Sequence, residues 1–194
     1  MAITTIPNGA LTEQNNLVLL STATISSGDS EVVFDSTLIN DTYNIYEVKY
    51  DNIILATDGT GIAYRYSEDN GSTYKDGTSS YRYVHRGGDT SDSNDSTHSR
   101  HSSSTRGNIV GVLNNLGNDT RENACGSVTF WNLRSTSSVF AEGRSVYESN
   151  NGVGSIVNFI EMYHDASLTV NNIKFFPVSG NFTSGTFTLF GVRT

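Results

Sequence analysis

Hydrophobic and polar residues alternate along much of this chain with a period of two. In Tyr43-Asn44-Ile45-Tyr46-Glu47-Val48-Lys49-Tyr50, one face carries Asn44, Tyr46, Val48 and Tyr50 and the other Tyr43, Ile45, Glu47 and Lys49. That is the signature of a strand with one apolar and one mixed face. Ile62, Tyr64 and Tyr66 alternate with Ala63, Arg65 and Ser67, and the pattern returns at Thr186-Phe187-Thr188-Leu189-Phe190-Gly191-Val192. A strand so near the end of the sequence is expected to pair inside a sheet, because a free one would leave apolar groups and backbone donors unmet. Further strands are predicted near 16–25, 31–34, 80–85, 107–113, 127–131, 139–147, 155–162 and 173–178.

Turn clusters separate these segments: Ser27-Gly28-Asp29, Asp58-Gly59-Thr60-Gly61, the run 114–119, Asn150-Asn151-Gly152 and Ser179-Gly180-Asn181. Each supplies Gly, Asn or Asp where a tight turn needs positive φ. No twelve-residue window holds a helical stripe. About eleven short strands at this spacing predict an all-β fold, an antiparallel β-sandwich of the jelly-roll kind. Two segments depart from the pattern. Residues 1–14 are polar and carry Pro7-Asn8-Gly9, which predicts an extended N-terminal arm ahead of a single domain over 15–194. Residues 85–106 have no aliphatic or aromatic side chain apart from histidine, which predicts a long polar loop, a feature that tends to be functional or mobile.

Composition narrows the class. Only 36% of the 194 residues are hydrophobic, while Ser, Thr, Asn and Gly are abundant, which excludes a coiled coil or helical bundle. The twenty aromatic residues need a core to pack in, so disorder is excluded as well. A net charge of −8 argues against nucleic-acid binding, which draws on basic residues, and against adsorption to anionic membranes. No stretch approaches eighteen apolar residues, so no membrane insertion is expected. Met1-Ala2-Ile3-Thr4-Thr5-Ile6-Pro7 lacks the basic and apolar regions of a signal peptide, which predicts a soluble protein made in the cytosol. Cys125 is the single cysteine, so no internal disulfide or cysteine-based zinc site can form. It is read as a small buried residue.

Four groupings invite chemical readings. Ser67-Glu68-Asp69-Asn70-Gly71-Ser72-Thr73-Tyr74 resembles the aspartate box of sialidase propellers, but a single copy reads as a self-contained structural hairpin. Asp92, Asp95, His98 and His101 are candidate metal ligands; their spacing is not that of a calcium loop, and a solvated loop is the simpler reading. Glu161-Met162-Tyr163-His164-Asp165 gathers ionisable groups that would matter only in a cleft, and a strand end running into a turn is the simpler reading. Tyrosines crowd residues 43–83; core packing is the plainer explanation, while Tyr64, Tyr66, Tyr81, Tyr83 and His85 are the candidates for partner or surface contact. No nucleophile, zinc-protease or phosphate-loop motif is present, so neither an enzyme nor a cofactor is expected.

Several stretches resemble small virion structural proteins of tailed bacteriophages, especially phages of aquatic bacteria. Gly180-Asn181-Phe182-Thr183-Ser184-Gly185-Thr186-Phe187-Thr188-Leu189-Phe190-Gly191-Val192 is similar to that family's closing motif, Gly-Asn-(Ile/Phe)-x-Ser-Gly-Thr-(Phe/Ile)-x-(Leu/Met)-(Tyr/Phe)-Gly-(Ile/Val). Tyr43-Asn44-Ile45-Tyr46-Glu47-Val48 with Ala56-Thr57-Asp58, and Gly126-Ser127-Val128-Thr129-Phe130-Trp131-Asn132-Leu133 with Ser135-Thr136, resemble two more of its segments. The resemblance covers residues 16–192 and departs from the family in the polar segment at 85–106. It implies a non-enzymatic, homotrimeric jelly roll on the virion, assembled in the host cytoplasm and docked on other virion proteins through the arm. A tail or fibre component contacting the host surface is the first expectation. A head-decoration (cement) protein of the capsid is the alternative, and a carbohydrate-binding module recognising a host glycan is the second.

Overall fold

A computed structural model describes residues 16–91, 97–111, 115–163 and 168–193. Among these residues there are twelve strands and no helix. They are β1 (Leu17–Thr24), β2 (Val32–Phe34), β3 (Ile45–Leu55), β4 (Ile62–Ser67), β5 (Tyr81–Asp89), β6 (Thr97–Ser104), β7 (Gly107–Val110), β8 (Ala124–Trp131), β9 (Phe140–Glu148), β10 (Gly154–Tyr163), β11 (Asn172–Pro177) and β12 (Phe182–Val192). Every pairing is antiparallel, and the strands form two sheets packed as a sandwich. The larger sheet runs β1-β12-β3-β8-β9-β10-β5-β6 and the smaller β2-β11-β4-β7.

The alternation in the sequence becomes the two faces of each strand. On β10, Val157, Phe159, Glu161 and Tyr163 point inward and are buried, while Asn158 and Ile160 are exposed. On β9, Ala141, Ser145 and Tyr147 are buried, and Phe140, Glu142, Arg144 and Val146 face out. The core is rich in aromatic rings. Phe175 on β11 lies 5.0 Å from Phe187, 6.0 Å from Tyr64 and 6.2 Å from both Phe34 and Phe130, ring centre to ring centre. These spacings are those of favourable tilted and edge-on aromatic pairs.

Strand β12 is longer than its alternation predicts, because it begins at Phe182 and passes through two irregularities in its register with β3. Gly185 sits in that irregular stretch with φ of +125°, close against Ile53 and the Asn52 carbonyl. Only glycine tolerates both that backbone and that approach.

The segment at 85–106 is not a long loop. Strand β5 continues through Arg86, Gly87 and Gly88 to Asp89, and Thr97–Ser104 forms β6, paired with it antiparallel from Tyr81↔Ser104 to Gly87↔Thr97. The reason lies in the backbone. An edge strand can be held by ladder hydrogen bonds on one side with no apolar side chain of its own, so alternation does not reveal it. The expected arm, residues 1–14, lies outside the described residues.

Candidate functional site

The most concentrated polar chemistry in the molecule lies between the two sheets. Glu161 comes from the inward face of β10 and is 1% exposed, and His85 from the neighbouring β5 is fully buried. Strand register sets Phe159 opposite His85 and Glu161 opposite Tyr83, so the glutamate lies diagonal to the histidine. His85 Nε2 is 2.9 Å from Glu161 Oε1, and the backbone N–H of Asn108 on β7 donates to the same oxygen at 2.9 Å. The Tyr64 hydroxyl, from β4 of the smaller sheet, donates to Glu161 Oε2 at 2.7 Å. Gly107 leaves the space for this meeting, because a Cβ there would collide with the Tyr64 ring and the Glu161 carboxyl. Burial, reinforced by the neighbouring Glu161, holds the Tyr64 hydroxyl well above the usual tyrosine range.

Chemically the cluster resembles a Tyr–Glu–His relay, but its burial seals it from solvent. What the geometry accomplishes is to tie two strands of one sheet to two of the other through a single carboxyl group. His85 Nδ1 has no hydrogen-bond partner among the described residues. Nearby, the Tyr50 and Ser145 hydroxyls are hydrogen-bonded, and Ser145 also donates to the Ile109 carbonyl. Burial raises the Tyr50 hydroxyl as well.

The candidate tyrosines lie in the core, the plainer of the two expectations, and not on the contact surface offered as the alternative. Tyr64, Tyr66 and Tyr81 are at most 1% exposed, Tyr83 is buried and so is His85, so none offers a surface to a partner. The physical reason is that the rings pack inward, and the Tyr64 and Tyr81 hydroxyls find partners from elsewhere in the chain. The Tyr81 hydroxyl accepts the Tyr66 N–H at 3.0 Å and lies 3.2 Å from the Lys75 carbonyl. Strand register also places Glu161 inward, where its sequence neighbours His164 and Asp165 lie outside the described residues.

Of the candidate metal ligands, Asp92 and Asp95 lie outside the described residues. His98 and His101 fall on β6, opposite Arg86 and Tyr83 in register, and only their backbone is described. Among the described residues no group of three or more His, Cys, Asp or Glu side chains is placed to hold a metal ion. Cys125 is half-buried rather than in the core, its thiol donating to Asp51 Oδ1 at 3.2 Å. Burial pushes that thiol up.

The Ser67–Tyr74 hairpin forms as its sequence predicts. Ser67 Oγ donates to Asp69 Oδ1 at 2.7 Å and accepts the Gly71 N–H at 2.9 Å. Asp69 accepts the Thr73 N–H at 2.9 Å and the Thr73 hydroxyl at 2.6 Å. The Ser67 and Thr73 hydrogen bonds hold the Asp69 carboxyl down at about 2. Tyr74 pins the turn to β11 through Asn172, at 2.8 Å, and beneath the Lys174 ammonium.

The outward face of the larger sheet carries a feature that the sequence reading missed. Trp131, Phe140 and Met162 oppose one another across β8, β9 and β10. One row along, Glu142, Ile160, Val84 and Arg100 oppose one another across β9, β10, β5 and β6. Val84 is 54% exposed and Ile160 62%. With Arg82 they line a hollow of about 600 Å³. The signal was available as the outward half of each alternating strand, but only strand order shows that these halves adjoin.

Among the described residues, fold and site together define a β-sandwich whose densest polar cluster is buried between its sheets and most of whose exposed large apolar side chains lie on one outer face. No protein family, curated protein or solved structure matches the chain.

Proposed function

We infer that this chain is a non-enzymatic, homotrimeric jelly-roll protein on the outside of a tailed-phage particle, at the tail or on a fibre, where it contacts the host. The observation that carries this reading is the strand order. Without β5, β6, β9 and β10, the remaining eight strands are two four-stranded sheets, β1-β12-β3-β8 and β2-β11-β4-β7. That order supports the jelly-roll reading, in which the strands of two Greek keys interleave between two four-stranded sheets. The motif Gly180–Val192, which resembles the closing motif of virion proteins, supplies β12, an interior strand of the larger sheet between β1 and β3. The sealing of the Glu161 cluster favours contact over turnover.

Antibody-gold labelling of intact particles tests the assignment. Label on the tail, together with loss of adsorption when the protein is absent, is the expected result. Label on the head, with normal adsorption and capsids that burst on heating, would instead make it a head-decoration protein. Release of sugars from host polysaccharide by the purified protein would overturn the non-enzymatic reading.

A further inference from the structure

The four strands outside the jelly-roll pairing, β9, β10, β5 and β6, lie side by side and build one half of the larger sheet. Among the described residues, five of the eight exposed large apolar side chains lie on the outward face of this half and the adjoining β8: Val84, Trp131, Phe140, Val146 and Ile160. Arginines surround them. Arg82 is half-buried, and Arg86, Arg100 and Arg144 are exposed. Register places Arg86 and Arg144 on either side of Asn158, one row from Ile160. Four of the chain's twelve basic residues are therefore here, against two of its twenty acidic residues, Glu142 and Glu148 at the end of β9. Elsewhere in the chain, eight basic residues stand against eighteen acidic ones.

We propose that this arginine-rimmed apolar face is the surface by which one copy of the chain holds the next, in a head-to-tail contact with a different, acidic surface of its neighbour. The proposal rests on the trimeric reading above and names its interface. Aliphatic side chains at the centre fit a protein partner, since sugars stack on aromatic rings and gain little from Val84 or Ile160. Aromatic, methionine and arginine side chains are the types enriched where proteins meet. Five strands about 4.8 Å apart and some eight residues long present a plane of roughly 650 Å². That is close to the roughly 800 Å² each partner buries in a stable interface.

Charge selects the geometry. A two-fold contact of this face with itself would bring two sets of four arginines together with only four glutamates among them. A heterologous contact meets the net-acidic remainder of the chain instead, and such contacts form a ring when the rotation between neighbours closes, as a trimer requires.

Light scattering on the full chain tests this with three variants: Ile160→Asp, Val84→Asp, and Arg86→Glu with Arg100→Glu. All four substituted side chains are exposed, so the circular dichroism of each folded subunit should be unchanged. The wild type is expected at three chains, and each variant to weaken assembly about 30-fold or more, giving monomer at micromolar concentration. Raising salt from 0.1 to 1 M, which shortens screening from about 10 to about 3 Å, should also weaken the wild type. A trimeric wild type with trimeric variants would overturn this interface and leave the trimer intact, whereas a monomeric wild type would overturn both. An Ile160→Cys chain in a Cys125→Ser background should not cross-link to itself through residue 160; rapid, complete cross-linking would establish the two-fold contact and overturn the head-to-tail one. A monomeric wild type retained on immobilised polygalacturonate, but released by Ile160→Asp, would assign the face to an anionic glycan instead.

Discussion

Tyr64 on β4 donates a 2.7 Å hydrogen bond to Glu161 on β10, joining the smaller sheet to the larger across 97 positions of sequence. Both residues are essentially without solvent contact. Neither could be buried alone at acceptable cost: an isolated carboxyl in the core is strongly unfavourable, and a buried hydroxyl needs an acceptor. Their meeting, with His85 and the Asn108 N–H on the second carboxylate oxygen, makes the burial of all four polar groups possible.

Removing the shared carboxyl should therefore be expensive. Glu161→Ala strands the Tyr64 hydroxyl, the Asn108 N–H and His85 together, and about 3 kcal/mol or more of destabilisation is expected. Glu161→Gln keeps one acceptor oxygen and should cost less. Urea denaturation of the two variants beside the wild type measures the difference.

Gly107→Ala places a methyl group where the Tyr64 ring and Glu161 carboxyl now lie. An over-packing cost of about 1–3 kcal/mol is expected. The Tyr64 hydrogen bond should weaken in parallel, which the environment of the Tyr64 ring in near-ultraviolet spectra would reveal.

Phe175 touches Phe34, Tyr64, Phe130 and Phe187 at the centre of the aromatic core. Phe175→Ala should cost about 3–5 kcal/mol. Val33→Thr, at an exposed position of β2, should stay within about 0.5 kcal/mol of the wild type in the same denaturation series.

The Ser67–Tyr74 hairpin should respond to acid. The folded Asp69 carboxyl sits at about 2, below its ordinary 3.8, so the unfolded hairpin binds the proton more readily. Its contribution to stability is present in full above about pH 4 and is lost as pH falls through about 2. Protection of the Thr73 amide, its exchange rate set against that of an unstructured peptide at the same pH, should fall over that interval, and Asp69→Asn should flatten the dependence.

The same hairpin shows how far local sequence reaches. Every partner of Asp69 within it lies within four residues, so spacing alone implied its bonds. The partner of Tyr64 is supplied by β10, so alternation could place that tyrosine in the core but could not say what its hydroxyl meets. Strand β6 was missed for a related reason: Thr97–Ser104 buries no apolar side chain that alternation could register, and its place is set by the backbone of β5.

By itself the sequence determined that the chain is a stack of short antiparallel strands, where its turns fall, and which residues share a face of each strand. Those follow from side-chain period and from glycine, asparagine and aspartate at positive φ, all of them properties of a few adjacent residues. Tertiary structure alone decided that Glu161, His85 and Tyr64 converge inside. It also decided that the outward halves of β8, β9, β10, β5 and β6 merge into one arginine-rimmed apolar face. Strand order is chosen by the packing of whole sheets, and no local pattern encodes which distant strand becomes the neighbour.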